Sequence, residues 1–387
     1  MNLAAAANEN LANTSNVLIY SAMAVYTLAF LAHITEWVFG SRSAVGRTAA
    51  AITTEAQRTA AAVSVKVDKA GGGTAVLERP KVVTRSAPGS RDDVPDGPGA
   101  AGTSAKGDLY GRIAISLTVL SFALHAGGVL TRALSVERAP WGNMYEFSIT
   151  FGMCAVGVYL GLLAAKKNVR WLGLPVVTTI LLDLGLAVSV LYTESDQLVP
   201  ALHSYWLWIH VSCAILSGAA LYVGAVSTFF YRLRDGYELR LAAGKTGPGV
   251  LEKKLRGLPS DAPLSMRLGV RFHMAYDNAL TRMPASATLD KFGYRINATV
   301  FPLWTFTIIA GAIWAEAAWG RYWGWDPKEV WSFITWVAYA SYLHARATAG
   351  WKGRKAAYLA LAAFGCYIFN YYGVNFLFGG KHSYSGV

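Results

Sequence analysis

Apolar residues in this chain gather into eight runs, at about 17–39, 111–131, 144–165, 171–192, 204–231, 297–317, 328–348 and 356–378. Each approaches or exceeds the roughly 20 residues that a helix needs to cross a bilayer. Between them lie short polar turns and two long polar stretches. The pattern predicts an all-α fold, a polytopic membrane helical bundle of about eight transmembrane helices. No internal repeat is visible.

The polar stretches carry the topology. Residues 1–16 hold no Lys or Arg, so the first run lacks the charged leader of a signal peptide. Residues 1–39 therefore read as an N-terminal transmembrane helix with its start outside. Residues 40–110 are rich in Ala, Gly, Pro and Thr, nearly free of aromatics and dotted with Lys and Arg. They read as a disordered cytoplasmic linker, because they bury too little apolar surface to offset their ordering entropy. Residues 111–387 form the membrane domain, with a basic cytoplasmic loop at 232–296. Basic turns at Lys166–Arg170 and Trp351–Lys355 fall on that same side, while TESDQLVPALHS, without Lys or Arg, falls outside. Eight crossings and the positive-inside rule agree, and both termini come out on the outer side.

The net charge of +12 is thus a matter of topology, and no nucleic acid partner is expected; the partner of the surface is the lipid bilayer. With 54% hydrophobic and 15% charged residues, the composition departs from that of soluble domains in the same direction. Cys154, Cys213 and Cys366 stand singly inside apolar runs and offer no CxxC, zinc spacing or disulfide framework.

One segment does not fit a plain bundle. Trp314–Trp336 holds six of the chain's 13 Trp, and Trp319-Gly-Arg-Tyr-Trp-Gly-Trp-Asp326 alternates aromatics with glycine. The loop at 318–327 faces outside on this topology. Asp326, Pro327 and Glu329 spell an Asp-x-x-Glu capping box that starts the next helix. An interfacial aromatic belt accounts for Trp304, Trp314, Trp331 and Trp336. Three Trp and a Tyr within seven residues point instead to a platform for a flat, amphipathic ligand.

Histidine depth adds the chemistry. His210 sits about seven residues into its helix, roughly 9 Å below the outer surface at 1.5 Å per residue. His382 lies in the outer tail. Both reach the space around the Trp loop, and two imidazoles approaching a flat ligand from opposite faces would form the axial pair of a six-coordinate haem iron. His344 lies about 16 residues, roughly 24 Å, down the following helix, near the cytoplasmic side. His33 is at a similar depth, with Glu36 close by as a local hydrogen-bond partner. His125 among small residues reads as packing, His203 as interfacial and His273 as solvated.

The segment WGRYWGWDPKEVWSFITW resembles the tryptophan-rich signature of the cytochrome c assembly protein family, in its CcsA/ResC-type branch. LDKFGYR at 289–295, SYWLWIHV at 204–211, PWGNMYE at 140–146 and GVNFL…HSY toward the end are similar to other features of that family. The resemblance covers about 110–387. It implies a haem-handling membrane protein of c-type cytochrome biogenesis, part of a cytochrome c synthase (haem lyase) complex rather than a stand-alone enzyme. Haem b, as transported substrate, would be held on the outer side by the Trp-rich loop, through Trp319, Trp323, Trp325 and Asp326. His210 and His382 would ligate its iron, and His344 would bind haem within the membrane. Implied partners are apocytochrome c, whose CxxCH motif receives the haem, and a ResB-type partner membrane protein with a large outer domain. Arg321 and Lys328 are candidate partners for the propionates. The competing readings are a respiratory membrane subunit carrying permanent b-type haem and a transporter of another amphipathic solute.

Overall fold

The computed structural model describes residues 8–42, 55–56, 58–59, 94–195, 204–247 and 249–382. Among them every regular element is helical. In chain order these are α1 (Glu9–Arg42), α2 (Ala105–Ser135), α3 (Met144–Ala164), α4 (Gly173–Ser189) and α5 (Tyr205–Ala242). Then follow α6 (Val250–Arg256), α7 (Leu264–Arg282), α8 (Ser286–Trp319), α9 (Pro327–Ala347) and α10 (Arg354–Ile368). A π-helical turn, Phe369–Gly373, leads into α11 (Val374–Leu377). His203, most of the stretch at 40–110 and the last residues of the tail lie outside the described residues.

Seven of these segments are both long and apolar enough to cross a membrane. The eighth, α9, has the length, at 21 residues, but Lys328, Glu329, His344, Arg346 and several tyrosines lower its hydropathy. The protein is a multi-pass membrane protein. Helix α1 packs chiefly on α2, α5 on α8, and α9 on α10, while α3 joins the groups through α4 and α5. The core mixes aliphatic residues with buried tyrosines such as Tyr26, Tyr145, Tyr159 and Tyr237.

At the basic end the helices outrun the apolar pattern. The stretch at 232–296, expected as a loop, is mostly helical: α5 continues to Ala242 and α8 begins at Ser286. Ion pairs replace apolar contact there. Glu238 accepts from Arg234 Nε at 3.1 Å, from Ser286 N at 2.9 Å and from Ser286 Oγ at 2.6 Å, all buried. Arg346 forks onto Asp290 at 2.7 and 3.0 Å. Charged side chains that satisfy one another inside a fold leave no hydrophobic signature in the sequence.

The final part of the stretch expected as a linker is likewise packed. Val94 and Ala100 are buried, Gly97 N and Gly99 N donate to the carbonyls of Met283 and Arg282, and Arg282 bonds Ala100 O and Trp37 O, both at 2.7 Å. Residues 94–104 thus dock on the end of α7, whose Arg282 guanidinium ties them to α1, an arrangement that composition does not reveal.

Candidate functional site

At the opposite end, the Trp-rich loop closes over a cleft among α3, α5, α8, α9 and the π turn. Helix α8 ends at Gly320, whose left-handed φ of 69° stops it. Asp326 then caps α9, accepting from Lys328 N at 3.2 Å, and Glu329 Oε2 accepts from Asp326 N at 3.1 Å and Gly324 N at 2.7 Å. The capping box expected from sequence is present. Glu329 thereby grips the backbone on both sides of Trp325, which is left at φ 59° with its indole 73% exposed.

The cleft contains about 1240 Å³ of atom-free space, part of it open to solvent. Its walls include Trp141, Phe147, Trp304, Trp314, Trp323 and Tyr371, together with His210 and His382. Both imidazoles lie against one buried indole, that of Trp314. His210 stacks on it with centroids 5.9 Å apart and planes 13° apart, and His382 meets it edgewise at 5.7 Å. His382 also packs on Trp319 at 4.9 Å.

The hydrogen bonds of the two rings settle which nitrogen faces outward. His210 Nδ1 is 2.9 Å from the Thr307 carbonyl, which can only accept, so Nδ1 carries the proton and Nε2 the lone pair. A side chain at Gly311 would come within 2.7 Å of this ring, so the bare backbone there makes room for it. His382 Nδ1 is 2.9 Å from Asp326 Oδ1. Burial pushes the Asp326 carboxyl up, but the His382 imidazole and the Lys381 and Lys328 N–H groups outweigh it and hold the acid at about 2. As a carboxylate it accepts from Nδ1 and so fixes the orientation of the His382 ring. A backbone carbonyl or carboxylate behind an imidazole is how metal-binding histidines are oriented.

Four buried polar atoms on the cleft wall have no hydrogen-bond partner: Trp304 Nε1, Trp314 Nε1, Asn370 Oδ1 and Glu329 Oε1. Groups of this kind call for a polar ligand or water. Lys328 also lines the cleft, 5.8 Å from the Tyr371 ring. Arg321 does not line it; its guanidinium lies across Gly324.

Not every expected residue gathers here. Trp323 is on the wall, Trp319 supports His382, and Trp325 points away, edge-on to Trp323 at 6.0 Å. His344 is exposed at the far end of α9. His33 is buried between Glu36, at 3.4 Å, and Thr118, at 3.5 Å, on α1 and α2, in the local hydrogen-bond network expected of it. His273 is exposed, against Phe272. The belt reading of Trp304 and Trp314 is overturned: both are buried on the cleft wall, only 4% and 2% exposed. Their signal lay in the spacing of Trp304, Thr307, Ile308, Gly311, Ala312 and Ala315, which recur on one helical face. Trp141 and Phe147, on either side of the Asn143 cap of α3, and Tyr367, Asn370 and Tyr371 around the π turn, were also missed.

With this geometry in hand, comparison with known proteins identifies the relatives. The family model described as cytochrome C assembly protein matches residues 141–382. The chain belongs to that family. It is 36% identical over 300 residues to the cytochrome c biogenesis protein CcsA of Synechococcus sp. (strain JA-3-3Ab), covering 71% of this chain and 84% of the relative. It is 37% identical over 282 residues to the CcsA of Gloeobacter violaceus, covering 67% and 83%. With the CcsA of Microcystis aeruginosa the figures are 39% over 267 residues, 65% and 81%. Membership in the cytochrome c assembly family gives the protein a role in the maturation of c-type cytochromes. The matched region runs from Trp141 on the cleft wall to His382, and so takes in the whole cleft.

Proposed function

We propose that the cleft receives haem b and presents it, on the outer face of the cell membrane, for attachment to apocytochrome c. One observation carries this reading. Two imidazoles border one aromatic cleft, each held at Nδ1 by an acceptor, as metal-binding histidines are oriented. Bis-imidazole ligation would protect the iron from oxygen while the macrocycle rests among Trp304, Trp314, Trp323 and Tyr371. Lys328 and the free indole N–H groups of Trp304 and Trp314 suit the propionates; Arg321, turned across Gly324, does not. Trp319 and Asp326 act behind His382, and the exposed Trp325 is placed to meet the incoming chain.

Covalent attachment adds a cysteine S–H across a vinyl C=C: sulfur bonds one carbon and the proton goes to the other, with nothing left over. The protein's part is positioning. A ResB-type membrane protein with a large outer domain is the partner that would bring the apocytochrome to this face. His344, exposed at the other end of α9, fits the reception of haem from within the membrane.

The test is the optical spectrum of purified protein titrated with haem. A six-coordinate low-spin spectrum is expected, lost in the His210→Ala, His382→Ala double variant and restored by added imidazole. Undiminished six-coordinate haem in the double variant overturns the ligand assignment. Haem that cannot be passed to an apocytochrome would favour a respiratory subunit instead.

A further inference from the structure

Beneath the cleft lies a second polar cluster that haem presentation leaves unused. His125, on α2, is fully buried; its Nδ1 is 3.5 Å from the Tyr26 hydroxyl and its ring lies beside the Ile149 carbonyl, while its Nε2 has no partner. Asp183, on α4, accepts from the Tyr372 hydroxyl at 2.8 Å through Oδ1, while Oδ2 is buried without a partner. The two side chains face the same spot. A Cβ at Gly152, on α3 between them, would lie 3.4 Å from His125 Cε1 and 3.3 Å from Asp183 Oδ2.

We propose that one water molecule sits beside Gly152, bridging His125 Nε2 and Asp183 Oδ2, and that this pair is an intramembrane proton site wired to the cleft. Two orphaned polar atoms either side of a missing side chain are what holds a buried water. An ionisable pair inside a membrane is costly enough to mark function. Sharing one proton, whether as acid and imidazole or as carboxylate and imidazolium, leaves the pair neutral. The wire is short: Tyr372, bonded to Asp183, packs edge-on to Tyr371 at 4.5 Å, and the Tyr371 hydroxyl, 2.7 Å from Ser148 Oγ, is on the cleft wall. The other titratable groups facing the site are Tyr222 and Tyr367.

The consequence rests on the haem reading of the cleft. Ferric haem with two neutral imidazoles carries a positive centre, which favours the pair without its proton. When a one-electron reductant converts the iron to the ferrous state, that charge disappears and the pair takes up one proton. The midpoint potential therefore falls as pH rises.

The first arm of the test needs no haem. Infrared difference spectra of the purified full-length protein, recorded between about pH 5 and 8, should contain a carboxyl band absent from Asp183→Asn. The band should shift in Gly152→Ala, whose Cβ would press within 3.3 Å of Asp183 Oδ2 and 3.4 Å of His125 Cε1 and crowd out the water, and in Tyr372→Phe, which removes one hydrogen bond. A band indifferent to Gly152→Ala overturns the bridge. The second arm is redox titration of the haem-loaded protein with dithionite. A pH-dependent potential is expected in the native chain and a flattened one in Asp183→Asn; an unchanged slope in the variant overturns the coupling. If the native protein takes up no haem, the proposed function fails, while the infrared arm still decides the proton site.

Discussion

His382 donates its Nδ1–H to Oδ1 of Asp326 across 2.9 Å, so the residue that starts helix α9 also holds an imidazole near the C-terminus. Asp326 Oδ2 accepts from Lys381 N at 2.7 Å as well. One carboxylate thus closes the helix, anchors the tail and fixes the tautomer of a candidate ligand. In Asp326→Asn the cap survives, since Asn caps as well as Asp, but the anionic acceptor behind the imidazole is gone. Loss of such a partner costs metal-binding histidines about 10–100-fold in affinity. Haem titration should show that loss; equal affinity in the variant would make the contact merely structural.

The same contact sets a pH response. The Asp326 acid is depressed from 3.8 to about 2 in the fold. A depressed carboxyl contributes stability above its ordinary range, and that contribution drains away as the pH falls through the folded value. The tail should therefore stay docked down to about pH 4 and release toward about pH 2. Because Trp314 and Trp319 pack on His382, tryptophan fluorescence reports the release. In Asp326→Asn the transition should vanish from this window.

The helices, the capping box and the meeting of His210 and His382 at one cleft were legible because each leaves a local mark: a long apolar run, Asp-x-x-Glu, a histidine at a countable depth. What was missed has its partners far along the chain. The ion pairs joining Arg234, Glu238 and Ser286 replace the hydrophobic signal by which a segment is recognised as packed. The stretch at 94–104 is held through its backbone groups, which any sequence possesses, by carbonyls of α7's end and by the distant Arg282. Trp304 and Trp314 looked like belt residues because a tryptophan near a helix end has the same local context in both settings; only the stripe with Thr307 and Gly311 separates them. The π turn at Phe369–Gly373, which seats Asn370 and Tyr371 at the cleft, has no sequence mark.

Gly311 gives a sharp test of His210. Alanine would ordinarily stabilise a helix over glycine by about 1 kcal/mol. Here its methyl would come within 2.7–2.8 Å of the His210 ring and force it to move. Gly311→Ala should therefore lose that helical gain to overpacking and convert the haem spectrum from six- to five-coordinate. A native spectrum would mean that the ring has room the contacts deny.

The unpartnered indoles predict an inverted pair of effects. Trp304 and Trp314 bury their Nε1–H groups without an acceptor, and a buried donor left unsatisfied costs about 1–3 kcal/mol. Trp304→Phe removes that donor, which offsets part of the packing lost with the larger ring. The ligand-free protein should lose less stability than the truncation of a buried tryptophan suggests, while haem affinity drops. Calorimetry of the free protein and haem titration measure the two sides. A variant equally weakened in both would show that the indole serves packing alone.

Trp325 is the last case, because its backbone and its side chain disagree with ordinary practice. A bulky residue at φ 59° carries strain on the order of 1–3 kcal/mol, and its exposed indole gains little burial in return. The Glu329 carboxylate imposes the conformation by holding Gly324 N and Asp326 N on either side. Trp325→Gly should relieve the strain and leave the cleft, the capping box and haem affinity intact. If the indole meets the incoming apocytochrome, the variant should still load haem yet transfer it several-fold more slowly. Transfer assays with preloaded protein separate the two steps; native transfer rates in Trp325→Gly would leave the strained tryptophan without a part in the handover.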